Sequence, residues 1–230
     1  MIEMVRRFLR QKARSGGTLV LLGLLAAMSG LSIAVSGGPG GPGGGGYVAL
    51  LVLAAASVSK DASSGALQMI LARPIRRTDY LFGRYLGIVA AFAAFSVVCV
   101  ALGLLTRTVW GPRGPLAPLE LLGGIGFATL WAAQMAAALV FFSTFLPGYG
   151  DVVALLLLQI FVSLRTNVQW MVKTSQAIGR ELLPSVPWER VFRGDPDALA
   201  SAGRAVLAAS LFLTAAAVVF ARREFAYGRD

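Results

Sequence analysis

The sequence predicts an all-α, polytopic membrane protein, and its composition and hydropathy lead to that prediction. Of the 230 residues, 57% are hydrophobic and only 14% are charged, whereas soluble domains carry about 25% charged residues. The mean hydropathy is +0.72, and a soluble fold of this size cannot bury so much apolar surface, which excludes a soluble globular enzyme. A disordered chain is excluded as well, because disorder requires the opposite composition.

Several catalytic and binding chemistries are missing from the sequence. It has no histidine and a single cysteine, Cys99, which excludes His-based catalysis, His–metal sites and disulfides within the chain. None of its lysines (Lys12, Lys60 and Lys173) follows the glycine that a Walker A loop requires. We therefore expect no catalytic residue, cofactor site or metal site here, and any ATP to be bound by a partner subunit.

The basic residues point to a lipid bilayer as partner. The formal net charge is +10, with 21 Lys and Arg residues, a balance that suggests nucleic acid on a soluble protein. Here these residues lie between or beside apolar stretches, which favours contact with anionic lipid headgroups. We expect no nucleic-acid partner.

Residues 1–16 begin with an amphipathic pattern. Apolar side chains share one helical face and basic side chains cover the rest, which predicts a short helix on the cytoplasmic membrane surface. The apolar positions are Ile2, Val5, Phe8 and Leu9, and the basic ones are Arg6, Arg7, Arg10 and Lys12. A plain basic flank that only orients the first span is the alternative. A cleaved signal peptide is another, although the uncharged run that follows exceeds the roughly 7–15 residues of a signal core.

Apolar stretches predict the transmembrane helices of a single domain, residues 1–230. They cover residues 18–35, 47–61, 85–105, 121–145, 152–164 and 205–221. The second has only 13 apolar residues, 47–59, so its helix must continue through Asp61 or the bilayer must thin. The glycine-rich residues 37–46 predict an external, non-helical loop. Thr78 is expected to cap the third helix, which then begins at Asp79.

The distribution of Lys and Arg predicts the orientation. With six spans and a cytoplasmic N-terminus, thirteen of these residues are internal and eight external. Six of the external ones lie in residues 164–204. If residues 152–164 only dip into the membrane, a five-span chain has sixteen internal and five external. That alternative places the C-terminus outside.

The polar segment at 59–84 predicts a cytoplasmic element between the second and third spans. Ser63 or Ser64 can cap a short helix over residues 66–72. One face of that helix is apolar and consists of Leu67, Ile70 and Leu71.

A proline ends this short helix. Arg73 precedes Pro74, and helical backbone geometry is disfavoured for a residue in that position. The cations expected to line the membrane surface beyond it are Arg76, Arg77 and Arg84. The resulting amphipathic segment can dock into a groove on a soluble partner.

This segment resembles the coupling segment of ABC-2 type transporter permeases, the membrane subunits of many bacterial ABC exporters. The shared pattern is an acidic residue, glycine, leucine, an apolar run, Arg-Pro, and then an aromatic residue, glycine and a basic residue. The matching residues are Asp61, Gly65, Leu67, Leu71, Arg73, Pro74, Ile75, Arg77, Tyr80, Gly83 and Arg84. Where the family commonly has a second acidic residue and a threonine near the first glycine, this sequence has Ser63 and Ala66.

The resemblance implies six transmembrane helices, an N-terminal elbow helix at 1–16, a coupling helix within 59–84, and an external segment at 165–203. It implies a multi-pass permease of the bacterial cytoplasmic membrane with both termini cytoplasmic. The implied partners are an ABC ATPase subunit and a second copy of the chain or a related permease. The residues expected to dock the ATPase are Asp61, Gly65, Leu67, Leu71, Arg73, Pro74, Arg76 and Arg77.

Small and polar residues of the spans have two interpretations each. Gly83 and Gly87 form a GxxxG pattern, which allows close helix packing within the subunit or at a dimer seam. Gln134 and Gln159 are the strongest polar groups at membrane depth, and they either bond between helices or line a transport path. No ionisable residue lies in the core of a span, which disfavours an ion-coupled carrier and an intramembrane enzyme. A non-transport membrane scaffold or anchor is the alternative function.

Overall fold

The computed structural model describes residues 2–36, 43–55, 57–58, 61, 76–110, 118–146, 148–163, 169–182, 191 and 195–222. In these residues the regular structure is all α-helical, which confirms the all-α part of the predicted fold class. The helices are α1 (Ile2–Arg14), α2 (Gly16–Ser36), α3 (Gly43–Ala54), α4 (Arg77–Trp110), α5 (Pro118–Ser143), α6 (Gly150–Ser163), α7 (Gln169–Leu182) and α8 (Pro196–Arg222).

Among the described residues, three helices are long and apolar enough to cross a bilayer, in agreement with the predicted membrane character. They lie in α4, α5 and α8, over Arg77–Thr106, Leu122–Ser143 and Pro196–Arg222. Shorter apolar helices in α2, α3 and α6 coincide with the other predicted spans and cover Gly16–Ser32, Gly45–Ala54 and Gly150–Phe161. The six-span topology and the single domain stay predictions.

The bounds of α3 correct two expectations. The helix begins at Gly43, so the predicted non-helical loop 37–46 is wrong for its last four residues. It ends at Ala54, so a continuous helix over 47–61 is also wrong. The N–H of Val58 donates to the hydroxyl of Ser143 at 3.1 Å, a bond to another helix in place of the carbonyl of Ala54 that an α-helix would use.

The start of α4 differs from its prediction by two residues. The helix begins at Arg77, and the N–H of Tyr80 donates to the carbonyl of Arg76 at 3.2 Å. Thr78 is therefore inside the first turn and is not the cap. Asp79 remains in that turn, where a carboxylate complements the partial positive charge of the helix N-terminus.

The chain divides into two compact units, and each is described separately. Unit 1 comprises Met1–Ala54 and Gly83–Ala133, and unit 2 comprises Ala55–Phe82 and Gln134–Asp230.

Unit 1 is built on close approaches between helices at small residues. α1 packs on α2, and α2 packs on α3. A Cβ added to Gly45 would lie 2.5 Å from Oγ of Ser29, so the start of α3 lies directly on α2. This contact gives the physical reason for helical glycines in α3: glycine has a low helix propensity, but here its missing side chain allows the approach.

The contact between α2 and α4 in unit 1 is equally tight. A Cβ on Gly30 would lie 2.9 Å from Cβ of Leu102 and 3.1 Å from the nitrogen of Gly103. Cys99 is buried beside this contact, and its thiol forms a hydrogen bond with Ser29. Its burial agrees with a structural role for the cysteine.

Aromatic side chains connect α3, α4 and α5 within unit 1. Trp131 lies between Tyr47 and Phe92, with ring centroids 6.0 Å and 6.1 Å away. Phe95 contacts Phe92 at 5.8 Å. Tilted aromatic pairs at these distances are favourable beyond their buried area.

Unit 2 contains α6, α7 and α8, with α7 packed against both of the others. A cluster formed by Phe141, Phe142 and Phe145 at the end of α5 meets Phe212 of α8, with its centroid 5.6 Å from Phe141. The chain turns after α5 at Gly148, whose φ of 61° is a left-handed conformation that glycine adopts without strain.

Candidate functional site

Only part of the predicted ATPase-docking set lies among the described residues. Asp61, Arg76 and Arg77 are described, and they mark the two ends of the segment. The predicted docking residues outside the described part of the chain are Gly65, Leu67, Leu71, Arg73 and Pro74. The structure therefore defines how the segment is held at its ends.

Asp61 and Tyr80 join these two ends in unit 2. The hydroxyl of Tyr80 donates to Oδ2 of Asp61 at 2.7 Å, across 19 positions in the sequence. Both side chains are buried, with exposed fractions of 5% for Asp61 and 1% for Tyr80. The carboxylate is therefore engaged inside the chain, and its bond joins position 61 to the first turn of α4.

The C-terminal end of α8 belongs to the same cluster. The ring of Tyr80 stacks on Phe220, with centroids 5.8 Å apart and planes 16° apart. Nη1 of Arg77 donates to the carbonyl of Ala221 at 3.1 Å. This bond satisfies one of the carbonyls that the last turn of a helix leaves without an intrahelical partner. The first turn of α4 and the last turn of α8 therefore lie at the same end of unit 2.

Several polar side chains of this cluster are exposed. Arg76, Thr78 and Asp79 are exposed at the start of α4, and Arg222 is exposed at the end of α8. Sequence reasoning identified Asp61, Arg77 and Tyr80 through the motif, but it missed Phe220 and Ala221. Ala221 takes part through its backbone carbonyl, so its side-chain identity carried no signal.

A second cluster, the Phe8 cluster, lies in unit 1 around the predicted GxxxG motif. A Cβ on Gly87 would lie 2.7 Å from Cδ1 of Phe8, so this glycine receives a ring of α1 within the same chain. Phe8 is only 2% exposed. Gly83 is also buried. Packing within the subunit thus accounts for Gly87, and a dimer seam stays a prediction.

Two cations flank the Phe8 ring. Cζ of Arg84 lies 5.3 Å and Nζ of Lys12 lies 5.8 Å from the ring centroid. Lys12 also donates to the carbonyl of Val52, near the end of α3, at 3.2 Å. Arg84 was expected to line the membrane surface but is 9% exposed, because it packs against this ring.

The two glutamines differ in their surroundings. Gln134 is 4% exposed, and its Nε2 has no hydrogen-bond partner among the described residues. Nε2 of Gln159 lies 3.9 Å from the sulfur of Met135, a weak bond between α6 and α5. A path-lining role for either side chain stays a prediction.

Comparisons with known proteins identify no relative of the chain. Nothing matches the chain among protein-family models, curated proteins or solved structures. Within the described residues, no group of three or more His, Cys, Asp or Glu side chains is arranged to hold a metal ion.

Proposed function

We propose that the chain is the transmembrane permease subunit of an ABC exporter. A separate ATPase subunit binds ATP and docks at residues 59–84, and the transport path forms between two copies of the chain or with a related permease. The chain has six spans, α1 is its elbow helix, and a coupling helix lies between the second and third spans. It lies in the bacterial cytoplasmic membrane with both termini cytoplasmic, and it has no ATPase activity of its own.

The anchoring of the coupling segment is the observation that carries this proposal. The buried bond between Asp61 and Tyr80 joins the two ends of this segment. A segment with free ends would absorb the push of a docked partner, whereas a segment with fixed ends passes it to the helices. ATP-driven closure of the ATPase then tilts the spans and alternates access to the path.

The bond between Arg77 and Ala221 supports six spans over five. It holds the start of α4 and the end of α8 at one end of unit 2. Six spans place residues 59–84 and the C-terminus on the same side of the membrane. Five spans place them on opposite sides, where this contact could not form.

The N-terminal helix supports the elbow assignment. One side of α1 buries Phe8, while Arg6, Arg7 and Arg10 are exposed. This division is typical of helices that lie in the membrane interface with cations toward the headgroups. The bond from Lys12 to Val52 supports an N-terminus on the same side as the end of α3.

Two substitutions in the coupling segment test the proposal. In the tagged full chain, Leu71→Asp and Arg73→Glu should each weaken association with the ATPase by roughly 30-fold, the effect of losing one interface hot spot. The measurement is the amount of ATPase that co-purifies in mild detergent, normalised to the permease in the membrane fraction.

Leu116→Asp and Arg113→Glu are the matched controls, because these residues lie between the third and fourth predicted spans, which a six-span chain with a cytoplasmic N-terminus places outside. They should leave association unchanged. Equal ATPase recovery from all four variants and the unaltered chain would remove residues 59–84 as the docking site.

A further inference from the structure

We infer that Asp61 is a positioning residue that, through Tyr80, fixes the coupling segment to the C-terminal end of α8. The family pattern suggested that this carboxylate touches the ATPase. The structure assigns it to a clasp inside the chain, formed by Asp61, Tyr80 and Phe220. The consequence for transport rests on the proposed function, whereas the clasp itself is a property of this chain alone.

Burial is the first argument for the clasp. Asp61 is 5% exposed and Tyr80 is 1% exposed, so a soluble partner has almost no access to the carboxylate. The O···O distance of 2.7 Å is that of a well-formed O–H···O hydrogen bond. Asp61 could reach an ATPase only by breaking this bond.

The geometry around Tyr80 is the second argument. Its ring lies almost parallel to Phe220, with 16° between the planes, which fixes the direction of its hydroxyl. Arg77 lies three positions earlier on α4, so both side chains share a helix face. Arg77 donates a hydrogen bond to the carbonyl of Ala221. The side chains of Arg77 and Tyr80 therefore both contact the last turn of α8.

A mechanical role follows from these contacts. α8 is one of the helices long enough to cross the bilayer. When a docked partner displaces the start of α4, the clasp moves the end of α8 with it. Asp61 therefore acts on transport through Tyr80 and α8, without contacting the partner.

Four variants distinguish a clasp from a direct contact: Asp61→Ala, Asp61→Asn, Tyr80→Phe and the double variant Asp61→Ala with Tyr80→Phe. In a clasp, the first and third variants both remove the bond between the two residues, so the double variant has a smaller effect than the sum of these two single effects. Asparagine keeps an acceptor oxygen, so Asp61→Asn should stay close to the unaltered chain. Tyr85→Phe, which removes a hydroxyl elsewhere on α4, is the control.

The decisive measurement is amide hydrogen exchange of the first turn of α4 and the last turn of α8 in the purified full chain, which needs no ATPase. We expect exchange to accelerate about tenfold in Asp61→Ala and Tyr80→Phe, since a buried partner is lost, and not in Tyr85→Phe. If Asp61→Ala fails to fold, Tyr80→Phe alone decides. Exchange in Tyr80→Phe equal to that of the unaltered chain overturns the clasp.

ATPase association of the same variants is the second readout. The clasp predicts that Tyr80→Phe weakens association, as Asp61→Ala does. If Asp61→Ala weakens association and Tyr80→Phe leaves it unchanged, Asp61 contacts the partner directly and the clasp is wrong. If the unaltered chain binds no ATPase but exchange still accelerates, the clasp stands and the proposed function fails.

Discussion

Replacing Gly30 with valine is expected to destabilise the chain by about 3 kcal/mol, the upper part of the range for overpacking. A Cβ at this position would lie 2.9 Å from Cβ of Leu102, 3.1 Å from the nitrogen of Gly103 and 3.2 Å from the carbonyl oxygen of Cys99. Two of these atoms belong to the backbone of α4 and cannot rotate away. α2 and α4 must therefore separate.

Gly23→Val is the matched control for this prediction, because Gly23 lies on the same helix and a Cβ added to it would meet nothing within 4 Å. It should change stability by no more than about 0.5 kcal/mol. The free energy of unfolding is measured by titrating sodium dodecyl sulfate into the protein in mild detergent. Equal midpoints for the two variants would show that α2 and α4 do not meet at Gly30.

The second large effect is expected for Phe8→Ala, with a loss of about 3 kcal/mol. The ring is 2% exposed and fills the space above Gly87. Its removal leaves a cavity and also removes the aromatic face beneath Arg84 and Lys12. Each such cation–π contact contributes about 0.5–1 kcal/mol at exposed sites and more when desolvated. α1 should detach from α4.

Leu9→Ala is the control for Phe8→Ala, since Leu9 is adjacent and 37% exposed. It should cost less than about 1 kcal/mol. Detergent unfolding gives the stability of both variants, and trypsin cleavage after Arg10 and Arg14 reports the release of α1. Slow cleavage in Phe8→Ala, at the rate of the unaltered chain, would contradict the anchoring of α1 by this ring.

Hydropathy was sufficient to locate the apolar helices, because each apolar stretch is a local property of the sequence, but it did not locate α7, which is not apolar. Each predicted span coincides with one of α2 to α6 or α8. Helix ends were less predictable. α3 begins among glycines because Gly45 lies on Ser29, a contact between residues of two helices that no local propensity contains.

The sequence predicted only some residues of the candidate site. The motif contained Asp61 and Tyr80, but their bond joins positions 19 residues apart, and pattern reasoning assigned the acidic residue to a partner protein. The residues that were not predicted are Phe220 and Ala221 of α8, which belong to the site through tertiary contacts. Gly87 is similar: its pattern indicated close helix packing, while the occupant, Phe8, lies 79 positions earlier in the sequence.

The central claim, a permease that works with a separate ATPase, is tested most directly by purifying the tagged full chain from its own host cells. The protein is extracted in mild detergent, and the proteins that accompany it are identified by mass spectrometry. We predict a stoichiometric ATPase that contains a Walker A loop. Recovery of the chain alone, under conditions that preserve a control membrane complex, would contradict the claim and favour a membrane scaffold or anchor.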